Sequence, residues 1–139
     1  MKKFKYLEDV AIADIAFEAY GKNLNEVFEN CAYAFFDMTC NPKTVKQKIK
    51  EVITLNDKDE KNLLYNFLSE LIFLKDSKQL IFSKLKVDIK DGKLNATLYG
   101  DKINSEEQEL RNEVKAVTLH MFNLEKTKNG YKATIVVDI

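Results

Sequence analysis

Hydrophobic and polar residues along this chain follow two different periods, and each period predicts one kind of element. Residues alternate between two faces from Ala11 to Tyr20 and again from Tyr131 to Ile139, which is typical of half-buried strands. Apolar residues at helical spacing follow Asn23 and, later in the chain, Asp57. The pattern therefore indicates a protein that mixes strands and helices.

Two amphipathic helices are predicted. The first follows Asn23, which forms a plausible capping box with Glu26, and Pro42 ends it. The second opens at Asp57-Lys58-Asp59-Glu60, with a similar box-like spacing. Each helix carries one stripe for a core to cover: Leu24, Val27, Phe28, Cys31, Ala32, Phe35 and Met38 in the first, and Leu63, Leu64, Phe67, Leu68, Leu71, Ile72 and Lys75 in the second.

The other periodic segments predict strands joined in part by hairpins. Asp91-Gly92 and Asn129-Gly130 are strong turn dipeptides, and each lies between two apolar runs. The polar segment 103–112 predicts a loop or a single helical turn. The predicted strands are Phe4–Asp9, Ala11–Tyr20, Val45–Leu55, Leu80–Ile89, Leu94–Tyr99, Val114–Leu124 and Tyr131–Ile139.

These elements predict an α+β fold, with an antiparallel-rich sheet of six or seven strands and two amphipathic helices packed on one face. A length of 139 residues favours a single domain over residues 1–139. No apolar run reaches the roughly 20 residues of a membrane span, and no apolar segment of a signal peptide follows the basic start. Cys31 and Cys40 are too far apart along one helix to form a bridge. We expect reduced thiols and a cytoplasmic protein.

The charges of the chain balance, with 22 Lys and Arg against 22 Asp and Glu. Zero net charge removes the simplest argument for nucleic-acid binding, a global positive field, but does not exclude a local basic patch. The chain has no P-loop, nucleophile elbow, Gly-rich dinucleotide loop or Cys-X-X-Cys pair. One histidine and two separated cysteines argue against a structural zinc site. No nucleophile–base pair stands out, so the residues alone indicate no chemistry beyond a possible carboxylate cluster on an α+β scaffold.

Three aspartates are candidates for cation binding. Asp14 lies in an apolar strand, Asp59 in the first turn of the second helix, and Asp138 near the end of the last strand. Each has an ordinary alternative: a solvated sheet face for Asp14, the favourable helix dipole for Asp59, and water or a basic partner for Asp138. Three carboxylates could form an all-oxygen site for Ca²⁺ or Mg²⁺, but the pattern leaves open whether they converge.

The predicted strand Val114–Leu124 carries two further polar candidates. His120 would share a strand face with Thr118 and Phe122, where a lone histidine is more often a hydrogen-bonded packing residue than a ligand. Lys115 would point to the opposite face, and its ordinary interpretation is a solvated lysine.

Several short segments, in order along the chain, form a specific combination. They are Ala13-Asp14-Ile15, Ala19-Tyr20-Gly21, Leu24-Asn25-Glu26-Val27-Phe28-Glu29-Asn30, Ala34-Phe35-Phe36-Asp37-Met38, Leu63-Leu64-Tyr65-Asn66-Phe67-Leu68-Ser69-Glu70-Leu71, Glu113-Val114-Lys115-Ala116-Val117-Thr118-Leu119-His120 and Val137-Asp138-Ile139. This combination resembles the motifs of the archease family and covers essentially the whole chain. Each segment alone would be a weak signal, whereas their joint occurrence is specific.

The resemblance implies an accessory protein for an RtcB-type RNA ligase of tRNA splicing. Such a protein promotes guanylylation and multiple turnover of the ligase and does not join RNA itself. The resemblance also implies a bound divalent cation, Ca²⁺ before Mg²⁺ or Mn²⁺, with Asp14, Asp59 and Asp138 as its ligands. Lys115 and His120 are weaker candidates for contacting the ligase or supporting the ligands. The partner would be the ligase, with tRNA involved only indirectly and no membrane.

The chain departs from the family pattern in one notable place. The family commonly has His-Thr before Ala-Asp, whereas this chain has Ala11-Ile12, so a role of that histidine is lost. Phe67 stands where Trp is frequent, which is a conservative core change.

Two other classes of function compete with the accessory protein: a metal-dependent hydrolase that uses the same acids, and a general chaperone or RNA-binding module. The missing nucleophile argues against the hydrolase, and zero net charge argues against RNA binding.

Overall fold

The structure, a computed structural model, describes residues 3–8 and 14–139. Asp9, the predicted start of the second strand at Ala11, and the Ala11-Ile12 departure lie outside the described residues. Two α-helices, eight strands and a short 3₁₀ turn at Pro42–Thr44 are formed within them. In chain order the elements are β1 (Phe4–Leu7), β2 (Asp14–Gly21), α1 (Leu24–Thr39), β3 (Ile49–Asn56), α2 (Glu60–Lys78), β4 (Leu80–Lys90), β5 (Lys93–Lys102), β6 (Ala116–Val117), β7 (Asn123–Thr127) and β8 (Gly130–Asp138).

Five strands form a first sheet, in the order β1-β2-β8-β6, with β7 also paired to β8. Every pairing in it is antiparallel. Strands β2 and β8 pair along their whole length, from Asp14 opposite Asp138 to Gly21 opposite Tyr131. The last strand is therefore held in the interior of the sheet, which keeps this end of the chain from fraying.

Three strands form a second antiparallel sheet, in the order β3-β5-β4. The predicted turn at Asp91-Gly92 joins β4 to β5, with φ angles of 52° and 77°. The Asn129-Gly130 turn joins β7 to β8, and of its two residues only Gly130 has a positive φ. Gly130 has φ 148°, and a Cβ there would lie 2.1 Å from the carbonyl oxygen of Gly21. Only glycine satisfies both constraints at this turn.

Helix α1 begins after the predicted cap Asn23, whereas α2 begins after Asp59, two residues later than the box-like spacing from Asp57 predicted. The Asn23 side chain accepts the N–H of Glu26 at 2.9 Å, and the Lys22 N–H donates to the Glu26 carboxylate at 3.3 Å. Helix α1 also covers the free edge of the second sheet. The backbone N–H groups of Val87 and Ile89 donate to Glu29 and Asn25, both at 2.8 Å. These bonds satisfy edge donors that would otherwise be open to another strand.

One hydrophobic core joins both helices to both sheets. Helix α1 packs against β2 and β4, and α2 packs against β3, β4 and β6. The largest fully buried side chains in it include Phe17, Phe28, Phe36, Phe67, Leu98 and Ile135. The α+β class, the antiparallel pairing and the two helices are thus confirmed. The strands divide between two sheets that share the helices, whereas a single sheet with helices on one face was predicted.

Cys31 and Cys40 are both free, as predicted, and both are buried. Burial raises the pKa of the Cys31 thiol well above its ordinary value, so it stays a neutral packing group. The predicted strand from Val45 begins only at Ile49, after the 3₁₀ turn.

The prediction of one strand over Val114–Leu124 was wrong. The segment forms the two-residue strand β6, a turn, and then β7. Met121 adopts φ 57° in this turn, and the Phe122 N–H donates to the Leu119 carbonyl at 3.3 Å. A left-handed residue cannot continue an extended strand, so alternation fails at this point. His120 consequently lies exposed in the turn, without a strand face to share.

Candidate functional site

Asp14 and Asp138 face each other across the junction of β2 and β8. Asp14 is the first residue of β2 and Asp138 is the last of β8, and the register pairs them directly. Residues paired in this way point to the same face, with Cβ atoms roughly 4.5–5.5 Å apart. Both side chains are half-buried. The fold therefore brings two carboxylates from opposite ends of the sequence into one place.

Opposed carboxylates repel each other unless a positive group lies between them. Among the described residues, no ion pair involves Asp14 or Asp138. The next pair along the same face, Ala16 and Val136, is fully buried. The two acids thus lie at the margin of a closed apolar surface, where their repulsion is less screened than in open water.

Strand β6 lies on the other side of Asp138. Ala116 pairs with Asp138, and the Lys115 N–H donates to the Asp138 carbonyl at 2.8 Å. The backbone of residue 115 is therefore fixed beside the paired acids. The Lys115 side chain is exposed, and it forms no ion pair with the described residues.

Asp59 has a different position, as the N-cap of α2. Its Oδ1 accepts the backbone N–H groups of Lys61 and Asn62 at 2.9 and 3.2 Å. These bonds satisfy donors that every helix start leaves open, and the helix dipole favours the negative charge. The ordinary interpretation of Asp59 as a helix-start acid thus accounts for its local contacts.

The predicted meeting of three aspartates is not found. Among residues 3–8 and 14–139, no three or more His, Cys, Asp or Glu side chains form a group that could hold a metal ion. Asp59 is held at the start of α2 by its cap hydrogen bonds, whereas Asp14 and Asp138 are joined by strand pairing. Two of the three acids come together, and metal binding by any of them remains a prediction.

Sequence reasoning missed a polar network on the opposite face of β2. The Tyr6 hydroxyl donates to the Asp37 carboxylate, which also accepts Arg111 Nη1 at 3.0 Å. Arg111 further donates to Glu109 at 3.2 Å and to the Asp37 carbonyl at 2.9 Å. Ile15, the neighbour of Asp14, lines the same hollow. Tyr6, Asp37 and Arg111 thus tie β1, α1 and the 103–115 segment together, on the face of β2 opposite to Asp14.

In this network the Tyr6 hydroxyl keeps its proton and acts as a hydrogen-bond donor. Desolvation, and then the hydrogen bond to Asp37, raise the pKa of the Tyr6 hydroxyl above its ordinary value, so it remains a donor. Two sequence signals pointed to the network. Asp37 lies within one of the motif segments, and Arg111 is the single arginine of the sequence. Arginine suits a site in which several acceptors must be held in fixed positions.

Comparisons with known proteins agree over the full length. The Archease protein family (MTH1598/TM1083) matches residues 4–139. This chain belongs to the archease family. It is 38% identical over 144 residues to Protein archease of Pyrococcus furiosus, with all of both chains covered. It is also 38% identical over 141 residues to Protein archease of Sulfurisphaera tokodaii, again with full coverage.

Solved structures of archease-family proteins have the same fold. The solution structure of Methanobacterium thermoautotrophicum protein 1598 matches with a TM-score of 0.82 at 36% identity, covering 100% of each chain. A crystal structure from Thermotoga maritima, described as an archease and possible chaperone, matches with a TM-score of 0.68 at 18% identity. It covers 96% of this chain and 97% of that one, and at this identity it supports the fold alone. Within its described residues, this archease has no helix long and apolar enough to cross a membrane.

Proposed function

We propose that this archease is a non-catalytic accessory protein of an RtcB-type tRNA-splicing RNA ligase. It promotes guanylylation of the ligase and its multiple turnover, and a divalent cation held at Asp14 and Asp138 is required for this action. The observation that carries the proposal is the direct opposition of these two carboxylates at the strand ends of the first sheet. Family membership over residues 4–139 supports the assignment of the partner.

The donor set fits a hard divalent cation. Both acids supply carboxylate oxygens, which Ca²⁺, Mg²⁺ and Mn²⁺ prefer over nitrogen or sulfur. A cation would remove the repulsion between Asp14 and Asp138, so binding and the paired geometry favour each other. Two carboxylates supply only part of the six to eight oxygens that Ca²⁺ takes, which leaves positions for water or for groups of the ligase.

Lys115 and His120 are assigned to the contact with the ligase. Both side chains are exposed, and Lys115 is held beside Asp138 through its backbone N–H. Leu119 and Met121, which flank His120, are 75% and 52% exposed. Apolar side chains this exposed in one turn are typical of a surface that a protein partner covers.

A ligation assay tests the proposal. Purified RtcB-type ligase, GTP and broken tRNA are incubated with and without this archease, and product is counted per ligase molecule. We expect several turnovers with the wild-type protein and about one without it. The archease without ligase should give no product.

Variants make the assay specific to the paired acids. Asp14→Asn and Asp138→Asn should abolish the stimulation while leaving the fold intact. Asp59→Asn is the matched control, because it removes the same charge and Asn caps a helix equally well. Full stimulation by both Asp14→Asn and Asp138→Asn would contradict the proposal. Ligated product formed by the archease alone would contradict the non-catalytic role.

A further inference from the structure

The second sheet has one face in the core and one face in solvent. Along β3, β5 and β4, alternate residues such as Ile53, Leu98 and Leu85 are buried in the shared core. The residues between them point outward and are mostly exposed. Helix α1 covers the β4 edge of this sheet but not its outer face. The outer face is therefore an open, flat surface three strands wide.

Lysine dominates this outer face. Five lysines occupy it, and we call them the basic sheet face: Lys50, Lys84, Lys86, Lys90 and Lys93. Two acids lie on the same side: Asp88, between Lys86 and Lys90 along β4, and Asp101, two residues beyond Tyr99 along β5. The whole chain has zero net charge. Tertiary structure has therefore concentrated positive charge that the composition does not reveal.

The register places these lysines close together. Lys50 and Lys84 both pair with Tyr99, from its two sides. Their strands are two sheet spacings apart, roughly 9.6 Å, and Lys84 and Lys86 follow each other at roughly 6.7 Å along β4. Lys90 and Lys93 are directly opposed, which is an unfavourable arrangement for like charges.

No acid of the described residues forms an ion pair with the basic sheet face. None of its five lysines takes part in an ion pair, although lysines elsewhere in the protein do. Lys84 lies over the ring of Tyr99, with its Nζ 5.9 Å from the centroid. The other outward residues are mostly polar, with the two acids and one large apolar side chain among them: Val52, Thr54, Asn56, Asp88, Asn95, Thr97 and Asp101. Such a surface offers positive charge and hydrogen-bonding groups at regular intervals.

We infer that the basic sheet face binds the phosphate backbone of RNA. Lysine binds phosphates as a point charge, and release of counterions supplies the affinity without any need for apolar contacts. A protein partner fits less well, because protein interfaces are depleted in lysine and depend on buried aromatic or apolar anchors. Val52 is the one large apolar residue exposed on this face, and Tyr99 is half-buried. Contact with the backbone predicts little dependence on sequence.

Fluorescence anisotropy with a labelled RNA hairpin tests the inference without any ligase. Five phosphate contacts give a slope of log K against log salt of about −4.5, or a loss of about 500-fold between roughly 50 and 200 mM salt. The face variant Lys50→Glu/Lys84→Glu/Lys86→Glu should bind at least about tenfold more weakly at low salt and reduce the slope by about 2.7.

A charge-matched control separates this face from net charge. Lys22, Lys61 and Lys128 are exposed and lie outside the second sheet. Lys22→Glu/Lys61→Glu/Lys128→Glu changes the net charge equally, and it should lose less than about threefold. Equal losses for both triple variants, or no binding of the hairpin by the wild type at 50 mM salt, would overturn the inference.

Two further measurements identify the ligand class and check the fold. Vesicles of phosphatidylcholine and phosphatidylserine and a polyglutamate chain are titrated under the same conditions, and both should bind more weakly than the hairpin. If either binds as tightly, the face recognises another polyanion and the assignment to RNA is wrong. Thermal melts verify the folding of each variant, and Lys→Gln replacements at the same three positions serve if the reversed charges unfold the protein.

Discussion

Asp14→Asn should stabilise this archease when no divalent cation is present. The carboxylates of Asp14 and Asp138 are opposed across β2 and β8, and no ion pair with the described residues offsets them. Asparagine keeps the shape of the side chain and removes one of the two charges. The repulsion ends, and the free energy of unfolding should rise.

The size of this effect follows from Coulomb's law. Two unit charges about 5 Å apart repel by about 0.8 kcal/mol in water and by about 3 kcal/mol at an effective dielectric constant of 20. The two carboxylates are half-buried beside the fully buried pair Ala16 and Val136. We therefore expect a repulsion near the lower limit, about 1 kcal/mol. For 139 residues the entropy of unfolding is about 0.3 kcal/mol/K, so Tm should rise by about 3 °C.

Calcium should reverse the ranking of the two proteins. At a concentration of about 100 times Kd, a cation stabilises the native state by about 2.7 kcal/mol, or about 9 °C here. Asp14→Asn should lose most of that increase. Asp59→Asn should keep it, because Asp59 caps α2 and asparagine caps equally well.

Thermal melts followed by circular dichroism measure the Tm of each protein, in EDTA and in increasing Ca²⁺. A double variant, Asp14→Asn/Asp138→Asn, completes a cycle: its Tm in EDTA should also rise by only about 3 °C, since one repulsion cannot be removed twice. High salt should shrink each gain in EDTA. A lower Tm of Asp14→Asn in EDTA, or an unchanged response to Ca²⁺, would refute the reasoning.

Three further predictions concern stability. Asp59→Ala should cost about 1 kcal/mol in urea melts through loss of the α2 cap, whereas Asp59→Asn should cost almost nothing. The Tyr20 hydroxyl donates to the Glu18 carboxylate at 2.8 Å and lowers the pKa of that carboxyl. The stabilisation from this bond is present above the usual carboxyl range and disappears as pH falls through the lowered pKa. Tyr20→Phe should therefore lower the free energy of unfolding by about 1 kcal/mol at pH 7 and by little at about pH 2. Lys75 is only 5% exposed. In the same melts, Lys75→Met should keep the free energy of unfolding within about 1 kcal/mol of wild type, because methionine still fills the space. Lys75→Ala should lower it by about 2 kcal/mol, because alanine does not.

Local chemistry alone determined the helices and the hairpin turns. Asn23 and Asp59 are polar caps beside apolar stripes, and α1 and α2 begin directly after them. Asp91-Gly92 and Asn129-Gly130 supply the backbone conformations that tight turns need, and both turns are present. These signals act over a few residues, so they are legible without knowledge of the rest of the chain.

Alternation identified faces but not all boundaries. It correctly separated Ile135 and Val137 from Thr134 and Asp138 along β8, because one side of that strand packs against the helices. It failed between β6 and β7, where the left-handed residue Met121 creates a turn without glycine or asparagine. Such a turn carries no residue signal, since its conformation is imposed by the strands on either side.

Only the tertiary structure decided which distant residues meet. Asp14 and Asp138 are paired because the register of β2 and β8 buries Phe17 and Ile135 on the opposite face. A shift of one residue in the pairing would move the buried side chains of a strand to its other face. Burial of the core therefore fixes the register, and the register fixes which acids meet at the site. Asp59 was equally acidic in the sequence, but it caps α2, and within the described residues it belongs to no group of three or more His, Cys, Asp or Glu side chains that could hold a metal ion.

The same rule explains the basic sheet face. In the sequence, its lysines alternate with core residues on three separate strands, and the balanced composition conceals them. Pairing of β3, β5 and β4 sends every second side chain outward and aligns Lys50, Tyr99 and Lys84 across the sheet. Sequence determines the period of each strand. Burial of the shared core determines the register, and the register determines which charges become neighbours.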